Sequence, residues 1–398
     1  MELQETGVSK STRWRAEAAV AVLFGVVMLV LGGRAAWLMS RKPVHEDAAA
    51  VPSTATAAPS TRYAEPVEES RRLARTLAAS NDLPGLSVAV AVDGEIVWAE
   101  GFGWTDIESR TPVTPLTRFR LGALSKPLTA VAAALLHDRG RLDLDAPVQR
   151  YVRAYPEKPW TVTVRQLMGD VAGVHRIRGD HNDAMPTEHC ASVDEAVALV
   201  AGEPLLFEPG TQHRYSVWGW VLVSAVVEGA AGEPFPRFMV RQVFGPLGMD
   251  RTVVAETEGF QVGNGSEDRP DYSCVAGGGA FLSTPTDLVR LGSAMLKPGL
   301  LRAETIEAFR TPTRLVSGAS TTYALGWTVR SVQFAGEPAR VVSHRGSPAG
   351  GTISLLTFPD LGFAIAAAAN VADAKGVDPF ALQVAEAFAR HRRPNRFP

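Results

Sequence analysis

Leu86-Ser-Val-Ala-Val-Ala-Val92, then Asp93-Gly94, then Glu95-Ile-Val-Trp-Ala-Glu-Gly-Phe102: two β-rich runs meet across an Asp-Gly pair. Such a pair supplies the positive φ values that a two-residue turn needs, so the stretch predicts an antiparallel hairpin. The far end of the chain repeats the pattern with Thr352-Ile-Ser-Leu-Leu-Thr-Phe358, a Pro359-Asp360 turn and Gly362-Phe-Ala-Ile-Ala366, closed by a helical stretch from about Pro379 to Arg392. Glu68 to Ser80 reads as a helix ahead of the first hairpin. Between the hairpins the periodicity is mostly helical, over Ala123–Asp138 with Gly140 as a stop signal, Ser192–Ala201, Val217–Ala231, Phe235–Val243 and Thr284–Leu296. Strands from both chain ends with helices between them predict an α+β fold, an antiparallel sheet flanked by helices with an inserted, mainly helical region. A cleft between the two parts is where a site is expected.

With 398 residues, 46% hydrophobic and 21% charged, the chain can bury a large core, and disorder is excluded as its dominant state. A formal net charge of -2 and the absence of long Lys/Arg runs give no electrostatic reason to expect nucleic acid as a partner. No internal repeat of useful period follows residue 67.

The amino-terminal end divides into a tail over 1–17, an apolar segment over 18–39, and a linker over 40–66 ahead of the domain at 67–398. Ala18 to Gly33 is uncharged and mainly apolar, and Ala35, Ala36, Trp37, Leu38 and Met39 continue it, so the segment can span a bilayer if Arg34 snorkels. A cleaved signal peptide is the alternative, but no small-x-small site stands clear of Arg34 and Trp37. Lys10, Arg13 and Arg15 before the segment are matched by Arg34, Arg41 and Lys42 near its end, so charge does not orient it. The linker is rich in Ala, Pro, Ser and Thr and reads as an extended tether.

The motif that bears on chemistry lies at the start of the 123–138 helix, in Phe119-Arg-Leu-Gly-Ala123-Leu-Ser-Lys126-Pro-Leu-Thr-Ala130. Residues three apart share a helix face, so Lys126 lies with Ala123, whereas its neighbour Ser125 projects elsewhere. This is the shape of an S-x-x-K helix start with its first serine replaced by alanine. Together with Pro84-Gly-Leu-Ser-Val-Ala-Val90, Leu206-Phe-Glu-Pro-Gly-Thr211 leading to Tyr215-Ser216, Ala276-Gly-Gly-Gly-Ala-Phe-Leu-Ser-Thr284 and His344-Arg345-Gly346, it resembles the class C β-lactamase-related serine hydrolases. These share the serine β-lactamase and penicillin-binding-protein fold, and the likeness is nearest to the mitochondrial β-lactamase-like proteins and their bacterial relatives. The matches run in the family's order over almost all of Pro84 to Asn370.

The resemblance implies roles for particular positions. Position 123 would carry the nucleophile and Lys126 the amine. Tyr215-Ser216-Val217 stands at a Y-x-N motif whose tyrosine moves protons, with Val217 in place of the amide. His344-Arg345-Gly346 stands at the K-T-G or H-x-G strand, and the backbone N–H groups of Ala123 and Ser347 would form the oxyanion hole. A methyl group cannot carry an acyl intermediate, and Ser125 is a poor substitute. Alone, Lys126 reads as a surface helix lysine and Tyr215 as a core tyrosine; set in order with His344 and the glycine-rich stretches, they predict a retained cleft.

Three functions follow as expectations: a degenerate enzyme that binds a small peptide, amide, ester or cell-wall-like ligand, a hydrolase in which Lys126 and Tyr215 activate water, or a membrane scaffold that self-associates, as filament-forming relatives imply. No cofactor is expected. The resemblance and the short tail place the large domain outside the cytoplasm, anchored to a membrane. His175-Arg-Ile-Arg-Gly-Asp-His-Asn182 with His189-Cys190 collects metal-ligand types without a recognised zinc spacing, so no metal is expected, and Arg176 and Arg178 are candidates to attract a carboxylate. In an exported domain Cys190 and Cys274 can pair, and the resemblance puts both near the cleft rim; buried free thiols are the alternative.

Overall fold

The computed structural model describes residues 24, 27, 28, 42–56, 60–176, 188–254, 271–334 and 336–392. Residues Met1–Val44 form one unit and His45–Pro398 a second. In the first, Phe24, Val27 and Met28 are helical and exposed, and the rest of the expected 18–39 span lies outside the described residues. No helix among the described residues is long and apolar enough to cross a membrane.

The second unit is built on an antiparallel sheet. Its strands are β1 (Ser53–Ala55), β2 (Gly85–Val92), β3 (Glu95–Asp106), β4 (Thr111–Pro112), and, after a short β5 (Phe119–Arg120), β6 (Val253–Val254) and β7 (Phe281–Ser283) that form a separate small sheet, β8 (Thr328–Phe334), β9 (Glu337–Gly346), β10 (Thr352–Phe358) and β11 (Phe363–Ala369). The large sheet runs β1-β3-β2-β11-β10-β9-β8, with β4 on β3. Both predicted hairpins are present, and they meet at the centre, where β2 pairs with β11 from Leu86 opposite Ala369 to Val92 opposite Phe363.

Alternation along these central strands sorts side chains onto two buried faces. Leu86, Val88, Val90, Ile365 and Phe363 face a layer made by α1 (Ala64–Ser80) and the last helix, α7 (Val377–Arg392), against Val67, Ala74, Val384 and Phe388. Ala89, Ala91, Ala364, Ala366 and Leu355 face the inserted helical region. That region contains α2 (Ser125–Asp138), α3 (Val164–Met168), α4 (Val193–Ala201), α5 (Trp218–Ala231) and α6 (Pro285–Ala294). The alanines on this face leave room for α6 to lie close, with a Cβ at Gly292 falling 3.0 Å from the Ala364 methyl. The α+β architecture with an inserted helical region is therefore the one the two hairpins imply.

Two features differ from the sequence reading. Part of the segment read as a tether up to Pro66, residues 45–56, is built into the fold: β1 pairs Ser53–Ala55 with Glu100–Phe102, Val51 is buried, and buried His45 lies 3.3 Å from the Pro84 carbonyl. Three residues of small and β-branched type are too short a run to register as a strand, and it is the open flank of β3 that makes them one. The β8–β9 hairpin was also not anticipated, although Thr328-Val-Arg-Ser-Val-Gln-Phe334 does alternate.

Candidate functional site

Strand register places His344. Antiparallel partners share a face, and His344 lies opposite Leu355 and Gly346 opposite Ile353, both on the side of the inserted helices. Arg345 therefore points the other way and is exposed. At Gly346 the strand passes so close to the segment before α2 that a Cβ would sit 1.8 Å from the Leu121 carbonyl oxygen. One residue on, Gly122 takes φ +51 with the Pro348 ring against it. The backbones of 121–123 and 346–348 thus face each other, the two segments expected to offer the N–H groups of Ala123 and Ser347. The Ser347 hydroxyl itself turns aside, donating to Asp373 Oδ1 at 2.5 Å.

Ala123 is half-buried in a 3₁₀ turn, Gly122–Leu124, that leads into α2. Ser125 is fully buried and its Oγ accepts a hydrogen bond from the Phe281 N–H at 3.2 Å, tying α2 to β7. Its hydroxyl is committed to the framework. Lys126 is fully buried as well, which removes the reading of a surface lysine. Its Nζ donates to the Ser216 carbonyl at 2.6 Å, lies 4.0 Å from Asp170 Oδ2, and sits 3.3 Å from the centroid of the Tyr215 ring. The ammonium meets Tyr215 through the ring face, a cation–π contact.

Tyr215 is 41% exposed, so the residue that covers Lys126 is itself accessible. Ser216 is buried; its Oγ donates to the Val174 carbonyl at 2.7 Å and accepts from the Gly219 N–H at 3.0 Å at the start of α5. Val217 packs beside Gly278, in the glycine run between α2 and α5. Neither side chain supplies an amide to the cleft.

Two further residues belong to the site and escaped the sequence reading. Asp170 follows α3 in a left-handed conformation, φ 53, and is buried; its carbonyl accepts from the Arg214 N–H at 2.9 Å, which brings it beside Tyr215 and Ser216. Its signal was a lone carboxylate in the apolar run Leu167 to Val174. Tyr323, 4% exposed, places its hydroxyl 3.2 Å from His344 Nε2. Its ring packs 6.2 Å from Tyr215 and 6.0 Å from His344.

Electrostatics fix the tautomer of His344. Burial, aided by the nearby Lys126 charge, pushes its pKa down to about 3, so the ring is neutral. His344 Nδ1 lies 2.8 Å from the Arg345 carbonyl, which only an N–H can satisfy, so Nε2 is the acceptor and Tyr323 the donor. Burial, followed by the Asp170 charge, raises the Tyr323 phenol well above its ordinary value and keeps that proton in place. His213, 5.6 Å from Tyr323, is also lowered by burial and by Lys126.

Cys190 and Cys274, both buried, are joined in a disulfide. Beside it His189 lies 2.7 Å from Asp271, and Arg176 pairs with Glu188 at 3.0 Å over the Trp218 ring. Arg176 is therefore buried and engaged with Glu188. Ile177 to Asn182, with Arg178 and His181, lie outside the described residues. No group of three metal-ligating side chains occurs among the described residues.

Comparison with known proteins adds to this geometry. A family model described as Beta-lactamase matches residues 71–387. The human "Serine beta-lactamase-like protein LACTB, mitochondrial" is 30% identical over 422 residues, covering 80% of this chain and 77% of that protein. Among solved structures, the octameric penicillin-binding protein homologue from Pyrococcus abyssi superposes with TM-score 0.67 at 23% identity, covering 83% of this chain and 78% of that one. The D-amino acid amidase from Ochrobactrum anthropi SV3 complexed with L-phenylalanine amide gives TM-score 0.67 at 21% identity, covering 81% and 99%. At these identities the two structures speak for the fold alone.

Proposed function

The chain belongs to the beta-lactamase family, and from that premise we propose that its cleft binds a small peptide, amide or ester ligand without forming a covalent acyl intermediate. One observation carries the reading: the residue three before the buried lysine is Ala123, and the neighbouring hydroxyls of Ser125 and Ser216 are turned into the framework, toward Phe281 N–H and Val174 O. Acyl transfer in this fold needs an oxygen nucleophile on the face shared with the amine. The parts suited to binding rather than reaction remain, namely the facing backbones at 121–123 and 346–348 and the accessible Tyr215, backed by buried Tyr323 and His344. Such a lining with few charged groups suits a neutral amide or ester end with an apolar side chain.

In the same proposal the 18–39 segment is a membrane anchor and the large unit lies outside the cytoplasm. The Cys190–Cys274 disulfide supports an oxidising compartment.

The test is intact mass after exposure to a fluorophosphonate and to a β-lactam, with phenylalanine amide binding followed by calorimetry. The expected result is no adduct on the unmodified protein, saturable binding of the amide, and loss of that binding in Tyr215→Ala. A stoichiometric adduct on the unmodified protein would overturn the proposal. Ester turnover abolished by Lys126→Ala would replace it with a hydrolase that activates water.

A further inference from the structure

We propose that Asp170 is a positioning residue that holds Lys126 as an ammonium ion, so that the amine cannot accept the proton a nucleophile at position 123 would release. The inference deepens the reading of a non-acylating cleft and rests on it: the site is disarmed at its base as well as at its nucleophile.

Lys126 Nζ lies in the interior. It meets a carbonyl oxygen at 2.6 Å, a carboxylate oxygen at 4.0 Å and an aromatic face at 3.3 Å, and each of these favours a cation. Both members of the Lys126–Asp170 pair have fully buried side chains. Taking the proton from Lys126 would leave the Asp170 carboxylate in the interior without this cation, a far worse state than the pair. The other titratable groups around the pair come from separate elements. His344 on β9 is neutral, its pKa lowered by burial and by the Lys126 charge, and that of His213 before α5 is shifted in the same direction. Arg214, bonded through its N–H to Asp170 O, brings a second charged side chain to the lining beside Asp170. Tyr323, ahead of β8, keeps its proton, and Tyr215 offers its ring face. Asp170 is thus the anion in the cluster, and its position is set by the backbone bond from Arg214 N–H to Asp170 O, independent of the carboxylate.

The consequence can be read by restoring the nucleophile. In Ala123→Ser, attack on a fluorophosphonate forms an O–P bond and breaks the P–F bond; fluoride leaves, and the hydroxyl proton passes to a base. Lys126 is that base only as the free amine. Adduct formation by intact mass is followed from about pH 6 to about pH 10 in Ala123→Ser and in Ala123→Ser/Asp170→Asn. The single variant is expected to react slowly, with a rate still rising at about pH 10, the ordinary lysine range. The double variant is expected to react at least about tenfold faster at neutral pH, with its plateau moved to lower pH. Coincident profiles, or a plateau near neutrality in the single variant, would overturn the proposal.

A second measurement needs no change at Asp170. In the unmodified protein, the ¹³Cε resonance of Lys126, identified by its loss in Lys126→Arg, is expected to stay at the ammonium position up to about pH 10. Titration below about pH 8 would overturn the proposal. Labelling of the unmodified protein would count against the ligand-binding reading, whereas the lysine titration judges Asp170 separately.

Discussion

Replacing Gly346 with alanine tests whether the close approach of β9 to the start of α2 is as tight as described. The new methyl would fall 1.8 Å from Leu121 O, about 1.2 Å inside the shortest separation a real Cβ tolerates, and 3.2 Å from Ile353 Cγ2. Neither side can give way cheaply. Leu121 is held by its N–H to Phe281 O at 2.9 Å, and its carbonyl accepts the Leu124 N–H at 3.1 Å that forms the turn carrying Ala123. Gly346 is held by pairing with Ile353 in β10. Relief requires β9 to part from that turn, at a cost near the upper end for overpacking, about 3 kcal/mol. For a domain of this size that is a fall of roughly 4 °C in the unfolding midpoint. The assay is thermal unfolding followed by tryptophan fluorescence, with Gly351→Ala as the control. At Gly351 a Cβ meets nothing nearer than 3.7 Å and φ is ordinary, so the expected shift is within about 1 °C. Equal midpoints for the two variants would refute the reasoning.

Two further predictions concern the disulfide and His344. The Cys190–Cys274 bond closes a separation of 84 residues, so Cys190→Ser/Cys274→Ser should lose about 4 kcal/mol in urea unfolding; an unchanged midpoint would show that the bond adds nothing. His344 titrates at about 3 when folded and near its ordinary value of 6.5 when unfolded, so the unfolded chain binds the extra proton first. Its contribution is complete above about pH 6.5 and is lost as pH falls toward 3, with a slope of up to about 1.4 kcal/mol per pH unit. Stability measured across that window should fall less steeply in His344→Gln, and identical slopes would contradict the assignment.

The core of the fold was legible because its signals are local. Asp93-Gly94 and Pro359-Asp360 each join two strands that are consecutive in the chain, and the helix at 123–138 has its period written in apolar residues. What was missed depends on contacts distant in sequence. β1 exists only because β3 offers it partners some 45 residues away. Ser125, Lys126 and Asp170 look alike as polar residues in apolar stretches. Their different fates, tied to β7, enclosed under Tyr215 and turned toward the lysine, follow from where β7, α3 and the 213–217 segment meet α2. Tyr323 carried no motif of its own, and it becomes part of the site through the register that aims His344 inward.

The pairing of β1 also bears on how the domain is kept from its own copies. A shortened chain starting at Val67, where the sequence alone puts the beginning of the fold, would keep every residue of the cleft. It would also strip the cover from Glu100 to Phe102 and remove the Pro52 carbonyl that receives the Gly103 N–H at 2.9 Å. Those main-chain groups would then be open to a strand from another molecule. Residues 45–56 therefore act as a built-in first occupant, and a soluble version made for crystallisation or binding work should begin before them.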